Sequence, residues 1–470
     1  MRPVTAPRPE LEPEPAPVLT GDTAGRALQV VQRVARQLAD PERVEAVLRA
    51  GRRPDSGAVV PPPDLGQGPL GAALLFGELA RTDESMRPLA HRAIARAAKG
   101  LSTAPGLGLF GGPAALLAVA QTCADGAGDY QGLRAGLARR LARRRNEHPA
   151  PAGAPGSGVA WSDYDWIQGP AGTTRLLLDC VEDPDESGPD ITRALESSLR
   201  RLTALTEPVR VNGRTVSGWW IAPGRQATAE LRATFPDGFF DLGIAHGIGG
   251  PLSVLATALE RGREVEGQRE AVERIVDWLA GRLLHDEAGP YWPAWLSWAE
   301  ETTAERPATA YTRNAWCYGS PSVAAALYRA GTALGRPEWC RNAVTVLNAA
   351  LARDQDRWEL EGPTLCHGYA GFLQILTRTA LSSGDRGLAA GCRRLAGALL
   401  DQADDDAPFT FRRLTGDSTQ AGTPTASAAF DSPGMLEGAA GAACALLSAT
   451  RTAAHTGRSA HPWDRTLGLV

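Results

Sequence analysis

Two kinds of apolar spacing alternate along the chain. In the first, apolar residues recur every three or four positions with charged or polar residues opposite. Ile191, Leu195, Leu199, Leu202 and Leu205 form one such face, Leu133, Leu137 and Leu141 a second, and Leu388, Cys392, Leu395 and Leu399 a third. That spacing predicts amphipathic helices with one buried face. Comparable segments cover roughly 24–38, 87–98, 269–284 and 338–351. In the second kind, a glycine-rich turn leads into a short segment that is apolar on every side. The copies are GPLGAALLF from Gly68, GGPAALLAV from Gly111, GPAGTTRLLL from Gly169, GIGGPLSVL from Gly247, GSPSVAAAL from Gly319, GYAGFLQIL from Gly368 and GAAGAACALL from Gly438. One G-x-x-G carries little information, but seven copies, each opening an Ala/Leu helix, mean a repeat architecture.

Seven polar-backed helices alternating with seven Gly-led apolar ones predict an all-α fold, an α/α toroid or barrel. The apolar set forms the inner ring and the amphipathic set the outer ring. An open solenoid would instead need polar caps at both ends. The pattern predicts one domain over 21–455. Residues 1–20, with six prolines, read as a disordered arm, and 456–470 as a C-terminal tail. Two places break the helical rhythm. Residues 207–240 carry Asn212-Gly213 between β-prone runs, a strong hairpin signal, and predict a small β-containing insertion on one rim. Its Trp219-Trp220 pair either offers an aromatic face to which an extended peptide could add or packs the insertion onto the barrel. AGPYWPAWLSW, residues 288–298, reads as a loop with aromatic surface.

Composition narrows the function. Over 470 residues the net charge is −4, so there is no basic footprint for nucleic acid. No apolar run approaches the eighteen or so residues of a membrane span. The start MRPVTAPRPELEPEPAP has no apolar stretch behind its charge and does not read as a signal peptide; a soluble, cytoplasmic chain is expected. Lys99 is the single lysine, which leaves Schiff-base chemistry almost nothing to use. The seven cysteines are odd in number and scattered, which argues against a disulfide framework.

The candidate chemistry sits at the glycine turns. Asp165 precedes the third, His246 the fourth, Cys317 the fifth, and Cys366 with His367 the sixth. In a barrel of parallel inner helices, nearly equal offsets put these side chains at one height around one opening. Two thiolates and one imidazole are donor types that zinc prefers, and three protein ligands leave a fourth position open. Cys317, Cys366 and His367 are therefore the zinc candidates. Cys123, Cys180, Cys340, Cys392 and Cys444 lie in helical segments without polar company and read as small apolar residues. His91, His148, His285, His455 and His461 read as surface or loop residues, and Asp183-Pro-Asp-Glu and Asp404-Asp-Asp as solvated loops.

Four stretches, RNAWCYGSP (313–321), LCHGYAGFL (365–373), GIAHGIGGPL (243–252) and YDWIQGPAG (164–172), resemble the lanthionine synthetase C-like proteins, the lantibiotic cyclases. The resemblance extends over about 24–450. It implies the toroid with its rim insertion, zinc on Cys317, Cys366 and His367, and an essential histidine at His246 with Asp165 and Arg313 beside it. It also implies intramolecular Michael addition of cysteine thiols to dehydroalanine or dehydrobutyrine in a dehydrated ribosomal precursor peptide, in company with a separate dehydratase. Ser322, where the family often has Gly, and Asn314, where Asp is common, depart from the pattern. Rival readings are another zinc thiol alkyltransferase, glutathione-conjugating or prenyltransferase-like, and a non-catalytic peptide-binding scaffold. A structural zinc site would need four protein ligands, and only three are found. An α/α-barrel glycosidase lacks its paired carboxylates at the turns.

Overall fold

The structure, a computed structural model, describes residues 16–50, 63–101, 108–126, 128–147, 157–303, 313–415, 428–452 and 461–470. The chain starts with α1 (Gly21–Leu38) and α2 (Pro41–Ala50), followed by α3 (Leu70–Ala80), α4 (Arg87–Lys99), α5 (Gly112–Cys123) and α6 (Gln131–Glu147). Then come α7 (Pro170–Glu182), α8 (Pro189–Ala204), the short α9 (Ala229–Thr234), α10 (Gly249–Glu260), α11 (Gln268–Ala280) and the short α12 (Trp298–Thr302). The last repeats are α13 (Ser320–Leu334), α14 (Pro337–Ala352), α15 (Tyr369–Ser383), α16 (Arg386–Leu400) and α17 (Ala439–Ala449). None of the described helices is long and apolar enough to cross a membrane.

Helices α3, α5, α7, α10, α13, α15 and α17 form the inner ring, and α17 packs on α3 to close it. Six outer helices, α4, α6, α8, α11, α14 and α16, pack on the inner helix that precedes each of them. The seventh outer place belongs to α1, which packs on α17. The first helix thus completes the last repeat, and the ring has no open end to cap. Position in the ring explains composition. Helices α3, α5, α10 and α17 are buried nearly all round, so most of their positions are apolar or small, with buried Glu78 and Gln121 as exceptions. On α8 only one side is buried, through Ile191, Ala194, Leu195, Leu199 and Leu202.

The rim insertion is larger than the sequence suggests. Strands β1 (Val209–Val211) and β2 (Arg214–Val216) form the expected hairpin, with Asn212 and Gly213 both at positive φ, 49° and 77°. Strand β3 (Phe239–Asp241) then pairs with a strand from the next repeat. The stretch 284–297 is not a loop but holds β4 (Leu284–Asp286), β5 (Gly289–Tyr291) and β6 (Trp295–Ser297). In the antiparallel pairing of β3 with β6, Asp241 stands opposite Trp295. Trp219 and Trp220 do not form an open aromatic face. They are 1% and 5% exposed; Trp219 meets Trp278 of α11 edge-on and Trp220 meets Trp298. Both bolt the insertion onto the ring.

The two chain ends also differ from expectation. Within 1–20, residues 1–15 lie outside the described residues, but Val18 and Leu19 are buried and the Leu19 N–H donates to Ala449 O at 2.9 Å. Two apolar residues after the last proline suffice to dock there. Of the tail 456–470, residues 461–470 run back into the bore of the ring, and Trp463 to Leu467 are all buried. His461 is accordingly not a surface residue: its Nδ1 lies 3.7 Å from Asp179 of α7. His148 and His455 lie outside the described residues. The Asp183-Pro-Asp-Glu loop is solvated at Pro184 and Asp185 but not at its last residue. Glu186 is buried and binds Arg134 Nη1 at 2.8 Å and Gln121 Nε2 at 2.5 Å.

Candidate active site

The glycine that opens each inner helix fixes the register of the residues before it. His246 and His367 each stand one residue before that glycine, Cys317 and Cys366 two residues before, and Asp165 four before. Equivalent positions on neighbouring repeats fall at one height around the bore, so the near-equal offsets converge. Gly319 shows why glycine is needed. It has φ 105°, in the left-handed region, and a Cβ there would collide with the Arg313 carbonyl oxygen. A larger residue would push apart the two arms of the turn that carries Cys317.

The donor atoms of Cys317, Cys366 and His367 all lie within 4.8 Å of one another. Cys366 Sγ is 3.9 Å from His367 Nε2, and the Cys317 N–H donates to Cys366 O at 3.3 Å. Bonds of about 2.0–2.3 Å to one tetrahedral zinc place donors roughly 3.5–3.8 Å apart, so a small contraction of this triad fits one ion. Cys317 shows the bias of the site. Burial opposes ionisation, yet the Cys366 thiol, His367 and Arg313 hold the Cys317 thiol well below the ordinary thiol range. The Cys366 thiol is pushed up by its hydrogen bond to Cys317 and by burial, the response of two thiols sharing one site. The remaining five cysteines are free, with Cys180, Cys392 and Cys444 buried and Cys123 and Cys340 half-buried.

His246 stands on the neighbouring repeat. Its Nδ1 is 2.6 Å from Asp165 Oδ2. Asp165 is fully buried, and its other oxygen accepts from the Gln168 and Gly169 N–H groups at 2.8 and 2.5 Å. A carboxylate only accepts, so Nδ1 carries the hydrogen and Nε2 is left for exchange. Burial works against the charged imidazole, but the hydrogen bond and charge of Asp165 raise His246 above its ordinary value. Arg313 forms an ion pair with Glu361 at 3.0 Å. Of the two departures, Asn314 is buried and ties its backbone N–H to Trp358 O and its amide to Ala350 O. The Ser322 hydroxyl donates to Gly319 O at 2.9 Å. Both serve the turn.

The geometry adds residues that spacing did not reveal. Trp161 lies flat on His246, ring centroids 4.3 Å apart at 19°. Asp241 is fully buried at the end of β3 and accepts from the Gly243 N–H at 2.9 Å and the Trp295 indole at 3.2 Å. Burial pushes its carboxyl up to about 7, against the pull of His246. Tyr318, next to Cys317, packs edge-on against Trp295. Asp241 could have been suspected only from its place at the start of the His246 turn; Trp161 had no signal, and Trp295 shows in the sequence only as part of the aromatic stretch 288–298.

The architecture and the site together define a class: a closed α/α toroid with a two-thiol, one-imidazole centre beside a carboxylate–histidine pair. A model of the lanthionine synthetase C-like protein family matches residues 60–456, and the chain belongs to that family. It is 27% identical to the nisin biosynthesis protein NisC of Lactococcus lactis subsp. lactis over 215 residues, 45% of this chain. That match spans 48% of the relative's length. The solved structure of a nisin cyclase superposes with TM-score 0.70 and 21% identity, covering 91% of this chain and 97% of the other. At that identity the likeness concerns the fold.

Proposed function

We propose that this protein is a zinc-dependent lantibiotic cyclase, closing (methyl)lanthionine rings by adding cysteine thiols of a dehydrated ribosomal precursor peptide to dehydroalanine or dehydrobutyrine. The observation that carries the reading is the convergence of Cys317, Cys366 and His367 next to the His246–Asp165 pair. Zinc held by the three side chains would supply a Lewis acid at which an incoming thiol is a thiolate at neutral pH. In the addition an S–Cβ bond forms, the Cα=Cβ π bond breaks, and its electron pair becomes an enolate that takes a proton at Cα. Asp165 fixes His246 through Nδ1, so Nε2 takes the thiol proton or delivers the one that Cα receives. Arg313, whose guanidinium is a planar donor, stands by to stabilise the enolate. The peptide would come from a separate dehydratase, in the cytoplasm.

Free-thiol counting on a dehydrated precursor peptide over time tests the reading, with elemental analysis of the purified chain. The expected result is one zinc per chain and thiol loss with no change in peptide mass. His246→Ala should keep zinc and fold while cyclisation slows roughly a hundredfold or more, the scale of a lost general acid or base. Full activity in that variant overturns the role of His246, and zinc loss makes it a ligand instead.

A further inference from the structure

One layer below the site lies a second ring of residues, each three before the glycine that opens its inner helix. Counted this way, with Gly112 as the glycine of the second repeat, it comprises Leu65, Leu109, Trp166, Ile244, Trp316, Leu365 and Met435, and all seven are fully buried. This layer is the floor of the site: Trp166 directly follows Asp165, Trp316 directly precedes Cys317, and the Trp166 N–H donates to Ala245 O beside His246. Its underside is covered by the segment from the chain end. The indole N–H of Trp166 donates to Thr466 O at 2.7 Å, and that of Trp316 to Leu467 O at 2.9 Å. Gly468 lies against the rings of Trp166 and the side chain of Ile244, and Thr466 Oγ1 reaches Met435 Sδ at 3.7 Å.

The segment is held from below by strong anchors. Asp464 receives both Arg378 and Gln374 of α15, Arg465 donates to Ala118 O and Gln121 Oε1 of α5, and Ser253 of α10 donates to Gly468 O at 2.6 Å. Thr466, Leu467 and Gly468 thus touch the supports of both halves of the site, while Asp464, Arg465 and Gly468 tie the segment to three separate inner helices. Such a second layer is what fixes first-layer ligands in place.

We infer that Thr466–Gly468 is a positioning element for the site, setting the distance between the His246–Asp165 pair and the Cys317–Cys366–His367 centre through the indoles of Trp166 and Trp316. The inference rests on the reading above in two ways, on cyclase activity for its kinetic part and on metal held by Cys317, Cys366 and His367 for its spectral part. The test uses the full chain with Trp166→Phe and Trp316→Phe, which delete the indole N–H and keep an aromatic ring. Trp463→Phe is the control, since Trp463 donates to Ser448 of α17 and touches neither half. Three quantities are read: thermal stability, the visible spectrum of the cobalt-substituted protein, and kcat and KM on dehydrated peptide.

All three variants should lose similar, modest stability. Only Trp166→Phe and Trp316→Phe should lower kcat, by about tenfold with KM unchanged, the kind of loss a small misplacement produces, and only Trp316→Phe should shift the cobalt bands. Wild-type spectra and kcat in both folded variants would overturn the inference, as would equal kcat losses in Trp463→Phe. Should a Trp variant fail to fold, Ser253→Ala, which frees Gly468, replaces it with an expected threefold loss in kcat, and an unchanged kcat there would overturn the inference. If the wild-type chain consumes no thiol, the cyclase reading fails, whereas an unmoved cobalt spectrum in Trp316→Phe sinks the positioning role on its own.

Discussion

Two fully buried aspartates at opposite ends of the bore have opposite fates. Asp179, near the far end of α7, is ringed by Arg175 at 2.6 Å, Arg261 at 2.7 Å, Arg465 at 3.3 Å and His461 at 3.7 Å. Burial would push its carboxyl up, but Arg175, Arg465 and His461 hold it well below the usual carboxylate range. Asp241, at the glycine-turn end, is just as buried and is given only a backbone N–H, an indole and a nearby imidazole. Its carboxyl rises to about 7. One end of the ring crowds arginines around a buried carboxylate and serves as an anchor; the other gives its buried carboxyl neutral donors and an imidazole and keeps protons mobile near neutral pH. The proposed chemistry lies at the glycine-turn end.

The largest expected effect breaks the comparison at the upper end. Cys317→Ala should reduce zinc from one per chain to almost none and abolish thiol consumption, while far-UV circular dichroism stays that of the wild type. The anchor at the far end and the closure of α17 on α3 do not depend on the metal. Loss of helix on loss of zinc would make both ends stability elements and would remove the distinction.

Next in size is the lower end. Asp179→Asn leaves Arg175, Arg261 and Arg465 facing one another without their shared carboxylate. Removing one partner from a buried ionic group costs about 3–5 kcal/mol. Urea unfolding should show that loss as a lower midpoint, and a change below about 1 kcal/mol would mean that the arginines satisfy one another through backbone carbonyls.

What the sequence made legible follows from which features repeat. Fourteen helices in two rings were readable because each repeat restates the same choice, Gly-led and apolar or polar-backed, and the three zinc candidates were readable because they share the glycine register. The anchor was not. His461, Asp464 and Arg465 are polar residues in a short stretch beyond the last repeat, and polarity there reads as solvent exposure unless the partners are known. Those partners, Asp179, Gln374 and Gln121, lie 90 to several hundred residues away. Trp219-Trp220 misled for the reverse reason: an aromatic pair beside a hairpin looks the same whether it faces a peptide or α11 and α12.

A third effect sharpens the comparison through pH. Between about pH 4 and pH 7 the unfolded Asp241 has released its proton while the folded one keeps it. The unfolded state then binds fewer protons, so this group makes stability fall as pH rises through that window. A carboxyl moved from 3.8 to about 7 carries up to about 4 kcal/mol in this way. Asp179 has the opposite sign: its contribution is complete above its ordinary value of 3.8 and is lost only as pH falls through a much lower folded value. Asp241→Asn should therefore gain on the wild type steadily from pH 4 to pH 7, with the altered Trp295 hydrogen bond adding only a constant offset. The penalty of Asp179→Asn should stay flat over the same range. Parallel pH curves for Asp241→Asn and wild type would show that this carboxyl is ionised throughout and would erase the difference between the two ends.

The smallest effect concerns what stands in for an arginine beside His246. Asp165 is its only ion-pair partner among the described residues, and Trp161 covers one face of the ring. An aromatic face stabilises a cation over it by about 0.5–2 kcal/mol, so the stack adds to the lift that Asp165 gives the imidazolium against burial. Trp161→Ala should lower the acidic-side apparent pKa of kcat by less than about one pH unit and leave KM for the peptide within about twofold. Trp161→Phe keeps a stacked ring and should recover most of the shift. A purely steric role for Trp161 would change kcat at every pH alike and leave the profile where it was. A shift that Phe fails to recover would move the effect from the π face to the indole N–H. At the lower end positive charge is met by carboxylates, carbonyl oxygens and an amide, whereas at the upper end Asp165 and an aromatic ring hold one imidazole whose Nε2 is left for exchange.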